Sequence, residues 1–249
     1  MNLLLFEPEE LTGELLQLPV GDRRAQHISR VLELGPGAEL RVGMVNGDMG
    51  TGRILNCRDG SCTLEVQLGT QPPAVPGIEL ILALPRPIML QRILKQATVL
   101  GVRRFHLIRS RRVHKSFFQA SILQPSAVRN ILLQGLEQAV DTRLPEVSVY
   151  KRFKPFIEDV LPGIPHGCRL IAHPGAEATL ADLHGAGRIE SGSVLAVGPE
   201  GGWIDYELQC FSEQGFVPFA MGGRILHVDT AVVVLLSQLQ ILQELSMKG

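Results

Sequence analysis

Hydrophobic residues near the start of the chain come in short alternating runs that are separated by glycine turns. Residues 39–42 and 63–66 alternate polar and apolar side chains, and residues 54–55 form another short apolar run. The dipeptide Asn46-Gly47 is a strong signal for a two-residue hairpin turn. Because short strands at this spacing are typical of small barrels, the pattern predicts a β-barrel over residues 1–71.

A proline-rich stretch follows this region and interrupts any regular pattern. Residues 71–77 read Gln-Pro-Pro-Ala-Val-Pro-Gly. Proline lacks a backbone donor and fixes its own φ angle, so the stretch can continue neither a helix nor an inner strand. We therefore predict a linker over residues 72–77, which separates a domain of residues 1–71 from a second domain of residues 78–249.

Beyond the linker, strand-like and helical patterns alternate along the chain. Helices are predicted at residues 89–100, 128–139 and 230–245. Gly101 is expected to end the first of them, and Asp229 or Thr230 to cap the start of the last. Buried strands are predicted at residues 78–83, 105–108, 170–172, 194–197 and 216–219. This alternation indicates an α/β fold with a mainly parallel sheet that is covered by helices on both faces.

Charge is distributed unevenly, although the whole chain is close to neutral. The formal net charge is −1, yet residues 76–154 carry 14 Lys and Arg against 4 Asp and Glu. The flanking residues 1–75 and 155–249 are acidic, with net charges of −4 and −7. A concentrated basic block can bind a polyanion even on a neutral chain. Composition alone fits a solubilising basic surface equally well.

Several classes of protein and site are not indicated. The longest apolar run, residues 231–236, is far shorter than the roughly 18 residues of a membrane span, and the N-terminus lacks the basic start of a signal peptide. We therefore expect a cytoplasmic protein that does not enter a membrane. Cys57, Cys62, Cys168 and Cys210 form no CxxC pair, and the histidines show no metal spacing. We predict four free thiols and no metal site.

Two glycine-rich segments near the C-terminus carry the candidate chemistry. Residues 194–203 run from an apolar strand into Gly-Pro-Glu-Gly-Gly-Trp. Residues 216–231 run from a strand into Gly-Gly, and then carry Arg224 and His227 to the start of the last helix. In parallel α/β sheets, ligands bind beyond the carboxyl ends of the strands, where glycines let the backbone approach them closely. Neither segment matches a dinucleotide or P-loop motif, so a different small-molecule site is favoured over plain turns.

Together these segments resemble a family signature. The first segment contains Gly-Pro-Glu-Gly-Gly and a glutamate a few residues later, and the second contains Arg-Ile-Leu at 224–226 and Asp-Thr-Ala at 229–231. This combination resembles the RsmE family of ribosomal RNA uridine-N3 methyltransferases. That family belongs to the SPOUT superfamily. The first motif occurs across the superfamily, whereas its combination with the second is specific to the family. Further similar stretches, which extend over nearly the whole chain, begin at His27, Lys95, Leu100, Glu137 and Pro145.

The resemblance implies a fold, a cofactor and an assembly that the residues alone do not show. The first domain would be a PUA-like RNA-binding β-barrel, and the second a SPOUT methyltransferase domain with a deep trefoil knot at its C-terminal end. The knot loops would bind S-adenosylmethionine, and the enzyme would be a homodimer with its site near the subunit interface. Glu200 is expected to hydrogen-bond within these loops. The implied cofactor-binding residues are His173, Pro174, Gly175, Gly198, Pro199, Glu200, Gly201, Gly202, Met221, Gly222, Gly223, Ile225 and Leu226.

The implied reaction is methylation at N3 of a uridine in 16S ribosomal RNA. The N3 atom must lose its proton, and the resulting negative charge spreads over the ring oxygens, where a cation stabilises it. Arg224 is the candidate for that cation, and His227 is the candidate proton acceptor because an imidazole accepts a proton near neutral pH. The residues predicted to bind RNA phosphates are Arg103, Arg104, Arg109, Arg111, Arg112, His114 and Lys115.

Some charged positions depart from the family pattern. The positions that differ from the residue usual in the family are Glu33, Val99, Asp141, His227 and Asp229. Ile204 stands where a Ser or Thr usually caps a helix, and Asp205 is expected to take over that role. Because the cofactor loops are retained while nearby charges differ, the methyl donor is better supported than the target nucleotide. A ribose-2′-O RNA methyltransferase and an RNA-binding protein without catalysis remain as alternatives.

Overall fold

The chain folds into two units that are built from separate stretches of sequence. The computed structural model describes residues 2–74, 77–165, 167–189 and 192–248. One unit comprises Met1–Ala74 and Leu133–Leu144, and the other comprises Val75–Leu132 and Pro145–Gly249. Val75 and Pro76, which belong to the linker predicted at residues 72–77, lie outside the described residues. No hydrophobic or turn pattern indicates that residues 133–144 join the first unit.

A half-barrel sheet and one helix form most of the first unit. Its elements are β1 (Leu4–Phe6), β2 (Leu11–Thr12), β3 (Leu15–Leu18), α1 (Arg23–Arg30), β4 (Glu39–Met44), β5 (Met49–Arg58) and β6 (Ser61–Thr70). The strand order is β1-β4-β5-β6-β3-β2. Strands β4 and β5 pair antiparallel around Asn46, whose φ of 60° suits a hairpin turn, so the hairpin predicted there is confirmed. Leu16, Ile28 and Leu64 are fully buried in the core between the sheet and α1.

The second unit is an α/β fold around one parallel sheet. Its elements are β7 (Glu79–Ala83), α2 (Pro87–Val99), β8 (Arg104–Ile108), α3 (Pro125–Ala139), β9 (Glu146–Tyr150), α4 (Phe153–Pro155), β10 (Arg169–Ala172), α5 (Leu180–Gly185), β11 (Val194–Val197), α6 (Asp205–Glu213), β12 (Val217–Phe219) and α7 (Val228–Lys248). The last turns of α3 lie in the stretch that belongs to the first unit. The strand order is β12-β10-β11-β7-β8-β9, and every pair is parallel. The predicted fold class is therefore confirmed, whereas the trefoil knot stays a prediction.

Burial explains which strands the sequence predicts. Every residue of the central strands β7 and β11 is buried, so both appear as uninterrupted apolar runs. Strand β9 lies at one edge of the sheet, and its residues are exposed or only partly buried. It therefore carries no continuous apolar run, and the hydrophobic pattern did not predict it. Gly101 follows α2 with a φ of 82°, as expected of a helix-ending glycine.

The last helix is longer than predicted. Helix α7 begins at Val228 instead of residue 230, so Asp229 lies inside its first turn, where it pairs with Arg92 of α2 at 3.3 Å. By length and hydropathy alone, Val228–Met247 is sufficient to cross a membrane. Val232, Leu236 and other residues on one face of the helix are nevertheless fully buried within the second unit. One face of α7 therefore packs into the core, although only 28% of the apolar stretch is buried.

Two cysteines of the first unit are joined, contrary to expectation. Cys57 on β5 and Cys62 on β6 lie directly opposite each other, with Cα atoms 4.2 Å apart, and form a disulfide. The prediction of four free thiols is therefore wrong for this pair, because the β5–β6 turn brings the two positions into register. In the second unit, the Cys168 sulfur lies 2.9 Å from Ser193 Oγ, and Cys210 is a free thiol.

A buried ion cluster lies at the N-terminal edge of the parallel sheet. Glu79, the first residue of β7, is 6% exposed, and its carboxylate lies 3.0 Å from His106 Nε2 and 2.5 Å from the guanidinium of Arg104. Burial raises the pKa of Glu79, but the hydrogen bond from His106 and the charge of Arg104 outweigh burial and hold that pKa below its ordinary value of 4.5. The ionised carboxylate therefore contributes to stability.

We expect Glu79→Gln to lower the free energy of unfolding by about 1–3 kcal/mol at neutral pH, because the buried His106 and the partly exposed Arg104 lose an ionised acceptor. A carboxyl whose pKa is lowered by folding stabilises the protein above its unfolded-state pKa. That contribution disappears as the pH falls through the folded-state value. The difference between variant and parent should therefore shrink below about pH 4.

Urea denaturation measures this difference through the fluorescence of Trp203, the only tryptophan of the chain, which lies in the same unit. The exposed Glu177→Gln variant serves as the control and should unfold like the parent at each pH. A destabilisation by Glu79→Gln that is equally large at neutral and acidic pH would contradict the ionic role of Glu79.

Candidate functional site

The loops that follow β10, β11 and β12 meet at one edge of the parallel sheet. Ile171 of β10 is in register with Ala196 on one side and with Pro218 on the other. Parallel neighbours bring their carboxyl ends to the same edge, which is where α/β sheets bind ligands. The backbone N–H of His173 donates to the carbonyl of Phe219 at 2.9 Å and extends this pairing beyond the strands. These loops and the start of α7 enclose a cavity of about 440 Å³.

Most of the residues that the resemblance assigns to a cofactor line this cavity. The predicted residues found in its wall are His173, Pro174, Gly198, Pro199, Glu200, Gly202, Met221, Gly222, Ile225 and Leu226. Arg224 and His227, the candidate catalytic residues, also line it. Gly175, Gly201 and Gly223 are not part of the wall. The structure therefore brings together segments that lie about 50 residues apart in sequence.

Two of these excluded glycines make room for neighbouring side chains. A Cβ atom on Gly175 would come within 2.9 Å of the His173 imidazole. A Cβ atom on Gly201 would lie 3.0 Å from the side chain of Arg112, whose guanidinium also donates to the carbonyl oxygen of Gly201. These two positions therefore shape the loops from outside the cavity.

Other glycines are required by the backbone of the wall itself. Gly202 and Gly222 have φ angles of 76° and 116°, a region that residues with side chains rarely adopt. Gly198 is required for a different reason, since a Cβ atom there would lie 3.1 Å from the indole nitrogen of Trp203. At these three glycines the wall leaves backbone N–H and C=O groups close to any bound molecule.

The apolar part of the wall contains residues that the motifs did not indicate. These lining residues are Ala172, Val197, Trp203, Phe219, Val228, Ala231 and Leu235. Ala172, Val197 and Phe219 are the last residues of their strands, so the rule that ligands bind at strand ends could have found them. Trp203 is buried and packs edge-on against Phe211, with ring centroids 5.2 Å apart. Together these side chains form a slot suited to a flat apolar group.

The cavity wall also contains polar groups. The side chains of Arg224 and His227 are exposed, and Arg224 makes no hydrogen bond or ion pair within the described residues. Glu200 accepts a hydrogen bond at 3.5 Å from the backbone N–H of Arg86, in the loop before α2. In the part of the chain that the structure describes, the buried His173 Nδ1 and Trp203 Nε1 atoms have no partner. An apolar slot with a nearby cation suits a molecule with a flat ring and an anionic group.

The residues predicted to bind RNA lie at two different edges of the sheet. Arg103 and Arg104 stand at the start of β8, where Arg104 pairs with Glu79. The other five follow the end of β8, at the edge of the sheet on which the cavity lies. They are Arg109, Arg111, Arg112, His114 and Lys115. We call residues 109–115 the basic loop. Its contact with Gly201 through Arg112 places it beside the loop that follows β11.

Helix α6 begins with an arrangement that differs from the sequence prediction. Asp205 is the first helical residue and not the N-cap, and the N-cap is Ile204, whose side chain has no acceptor. The carboxylate of Glu207 instead accepts the backbone N–H of Ile204 at 3.1 Å. Glu207 also accepts the backbone N–H of Arg111, in the basic loop, at 2.7 Å. The sequence marked this glutamate only as a member of the motif, because its partner lies 96 positions away.

Comparison with solved structures confirms the fold. A methyltransferase from Legionella pneumophila in complex with S-adenosylmethionine has a TM-score of 0.77 and 23% identity, over 96% of this chain and 97% of that one. The ribosomal RNA small subunit methyltransferase E of Neisseria gonorrhoeae, bound to S-adenosylmethionine, has a TM-score of 0.75 and 24% identity, over 97% and 98%. At these identities the likeness establishes the architecture.

Sequence comparison establishes the family. A model of the RNA methyltransferase domain matches residues 72–240. The ribosomal RNA small subunit methyltransferase E of Treponema pallidum is 32% identical over 235 residues, which cover 93% of this chain and 87% of that relative. With these matches added to the cavity and its loops, the chain belongs to the ribosomal RNA small subunit methyltransferase E family.

Proposed function

We propose that this protein methylates N3 of a uridine in small-subunit ribosomal RNA and uses S-adenosylmethionine as the methyl donor. The cavity formed by the loops after β10, β11 and β12 is the observation that carries the proposal. The names of the relatives give the RNA, and the structures from Legionella pneumophila and Neisseria gonorrhoeae hold the cofactor. With ribosomal RNA as the substrate, we propose that the protein acts in the cytoplasm.

The residues of the cavity fit the proposed cofactor. Its volume of about 440 Å³ lies in the range of small-molecule sites. The apolar slot with Val197, Phe219 and Leu226 suits an adenine ring, and the backbone at Gly198 and Gly222 offers hydrogen-bonding groups to polar edges. When bound, S-adenosylmethionine supplies an electrophilic methyl group to a nucleophilic atom.

The chain itself would prepare the nucleophile. Arg224 is exposed beside the cavity, where its guanidinium would stabilise the negative charge that spreads over the uracil oxygens when N3 loses its proton. His227 lies in the same loop, and its imidazole would accept that proton. A metal ion is not required for either role. Because N3 is occupied in Watson–Crick pairs, the target uridine must be presented unpaired.

We further propose that the enzyme is a homodimer. Ile241, Leu245 and Met247 of α7 are more than half exposed, which is unusual for apolar residues on a core helix. Ile225, in the wall of the cavity, is 89% exposed. A second copy that covers these side chains would remove apolar surface from water and complete the cavity near an interface.

The modified nucleoside tests the proposed function directly. The purified protein is incubated with S-adenosylmethionine and with small ribosomal subunits that lack the modification. We expect N3-methyluridine, which mass spectrometry of the digested RNA detects. A ribose-2′-O-methylated nucleoside would instead support the alternative enzyme of the superfamily. Cofactor binding without any methylated product, or no cofactor binding, would support an RNA-binding protein without catalysis.

Substitutions of Arg224 and His227 should lower turnover much more than they lower the affinity for the cofactor. We expect Arg224→Ala to lower kcat by roughly 10²–10³-fold and His227→Ala by roughly 10²-fold, because charge and proton acceptance matter most in the transition state. The affinity for S-adenosylmethionine, measured by calorimetry, should change by less than about threefold. Arg188→Ala, an exposed arginine at the opposite edge of the sheet, is the control. Unchanged turnover in Arg224→Ala would remove its proposed role.

The basic loop should dominate the electrostatic part of RNA binding. Replacing Arg109, Arg111 and Lys115 by alanine is expected to weaken RNA binding and to reduce the slope of log affinity against log salt by about 2, since each lost phosphate contact removes about 0.7–0.9. Fluorescence anisotropy with a labelled RNA fragment at several salt concentrations measures both values. Arg188→Ala again serves as control. The same slope in the triple variant and the parent would favour a merely solubilising basic surface.

A further inference from the structure

A single buried carboxylate connects two loops of the proposed site. Glu207 of α6 is only 2% exposed, and its oxygens accept hydrogen bonds from Arg111 N at 2.7 Å, Ile204 N at 3.1 Å and Ser110 Oγ at 3.3 Å. Ile204 ends the loop that follows β11, whereas Ser110 and Arg111 belong to the basic loop. The two loops therefore share one acceptor group.

Helix capping accounts for only one of these hydrogen bonds. A glutamate at the third position of a helix commonly accepts the N–H of the N-cap residue, which is the bond to Ile204. The bonds from Ser110 and Arg111 cross 97 and 96 positions of sequence and add nothing to the cap. The shortest of the three joins Glu207 to Arg111, so the carboxylate binds the basic loop at least as closely as its own helix.

The link to the basic loop is strong because the Glu207 carboxylate and the N–H groups that donate to it all lose a hydrogen bond when the link is broken. An ionised carboxylate forms shorter and stronger hydrogen bonds than a neutral acceptor, and the start of α6 favours its negative charge. Without it, the N–H groups of Ile204 and Arg111, whose hydrogen bonds are partly buried, would lose their acceptor. Arg112, the next residue, donates to the carbonyl of Gly201, so a second contact joins the same two loops.

We propose that Glu207 is a positioning residue that fixes the basic loop against the cofactor loop, so that binding of RNA and binding of the cofactor are coupled. The inference rests on the proposed function, in which the basic loop binds RNA phosphates and the loop after β11 lines the cofactor cavity. A ligand that orders one loop orders the other through the shared carboxylate. By thermodynamic linkage, each ligand then raises the affinity of the protein for the other by the same factor.

The test measures the affinity for S-adenosylhomocysteine, which cannot donate a methyl group, with and without a fragment of the ribosomal RNA. In the parent protein the RNA should tighten binding by about fivefold or more, the lower end of typical coupling. In Glu207→Gln the affinities with and without RNA should differ by less than about twofold. The kcat/KM for RNA should then fall by about the same factor by which the coupling is reduced. Glu213→Gln, an exposed glutamate on the same helix, should keep the parent's coupling.

A second variant separates positioning from a capping role. Ile204→Thr in the Glu207→Gln background supplies a new side-chain cap for α6, which should restore its stability. If Glu207 positions the basic loop, the double variant regains stability but stays uncoupled. Recovery of coupling in the double variant would overturn the inference, as would coupling retained in Glu207→Gln or absent from the parent. The binding results are independent of the methylated product, so failure of the inference is distinguishable from failure of the proposed function.

Discussion

Parallel pairing of β10 with two neighbours, β11 and β12, is the constraint on which the site depends. Because all three strands run in the same direction, the loops that follow them must emerge at one edge, although 44 residues separate β10 from β12 in sequence. The hydrogen bond from His173 to Phe219 continues this pairing into the loops. The glycines in the wall let the backbone approach a ligand closely, between the apolar side chains that form the slot.

The two edges of the parallel sheet carry charge for different purposes. At the N-terminal edge, Arg104 is neutralised by Glu79 and serves stability. At the C-terminal edge, the basic loop follows β8 and is joined to the loop after β11 by Glu207 and by the contact of Arg112 with Gly201. A basic block that is continuous in sequence is thus divided by one strand into a structural part and a part at the edge of the sheet on which the cavity lies.

Local patterns predicted most of the buried strands of the parallel sheet and the glycine loops, because a buried strand followed by a glycine turn is encoded in adjacent residues. The resemblance to the family pointed to most of the residues that line the cavity. Features that depend on partners far apart in sequence were not predicted. Examples are the pairing of Glu207 with Arg111, the return of residues 133–144 to the first unit, and the register that joins Cys57 to Cys62. Edge strand β9 was missed for another reason, since its half-exposed residues show no apolar run.

Titration of the protein with S-adenosylmethionine tests the central claim most directly, that backbone from the three converging loops encloses the methyl donor. The only tryptophan of the chain, Trp203, lines that cavity, so its fluorescence reports on occupancy while calorimetry measures the affinity. We predict saturable binding of one cofactor per chain, accompanied by a change in Trp203 emission over the same concentration range. Absence of binding in calorimetry, or binding that leaves the emission of Trp203 unchanged, would contradict the assignment of this cavity.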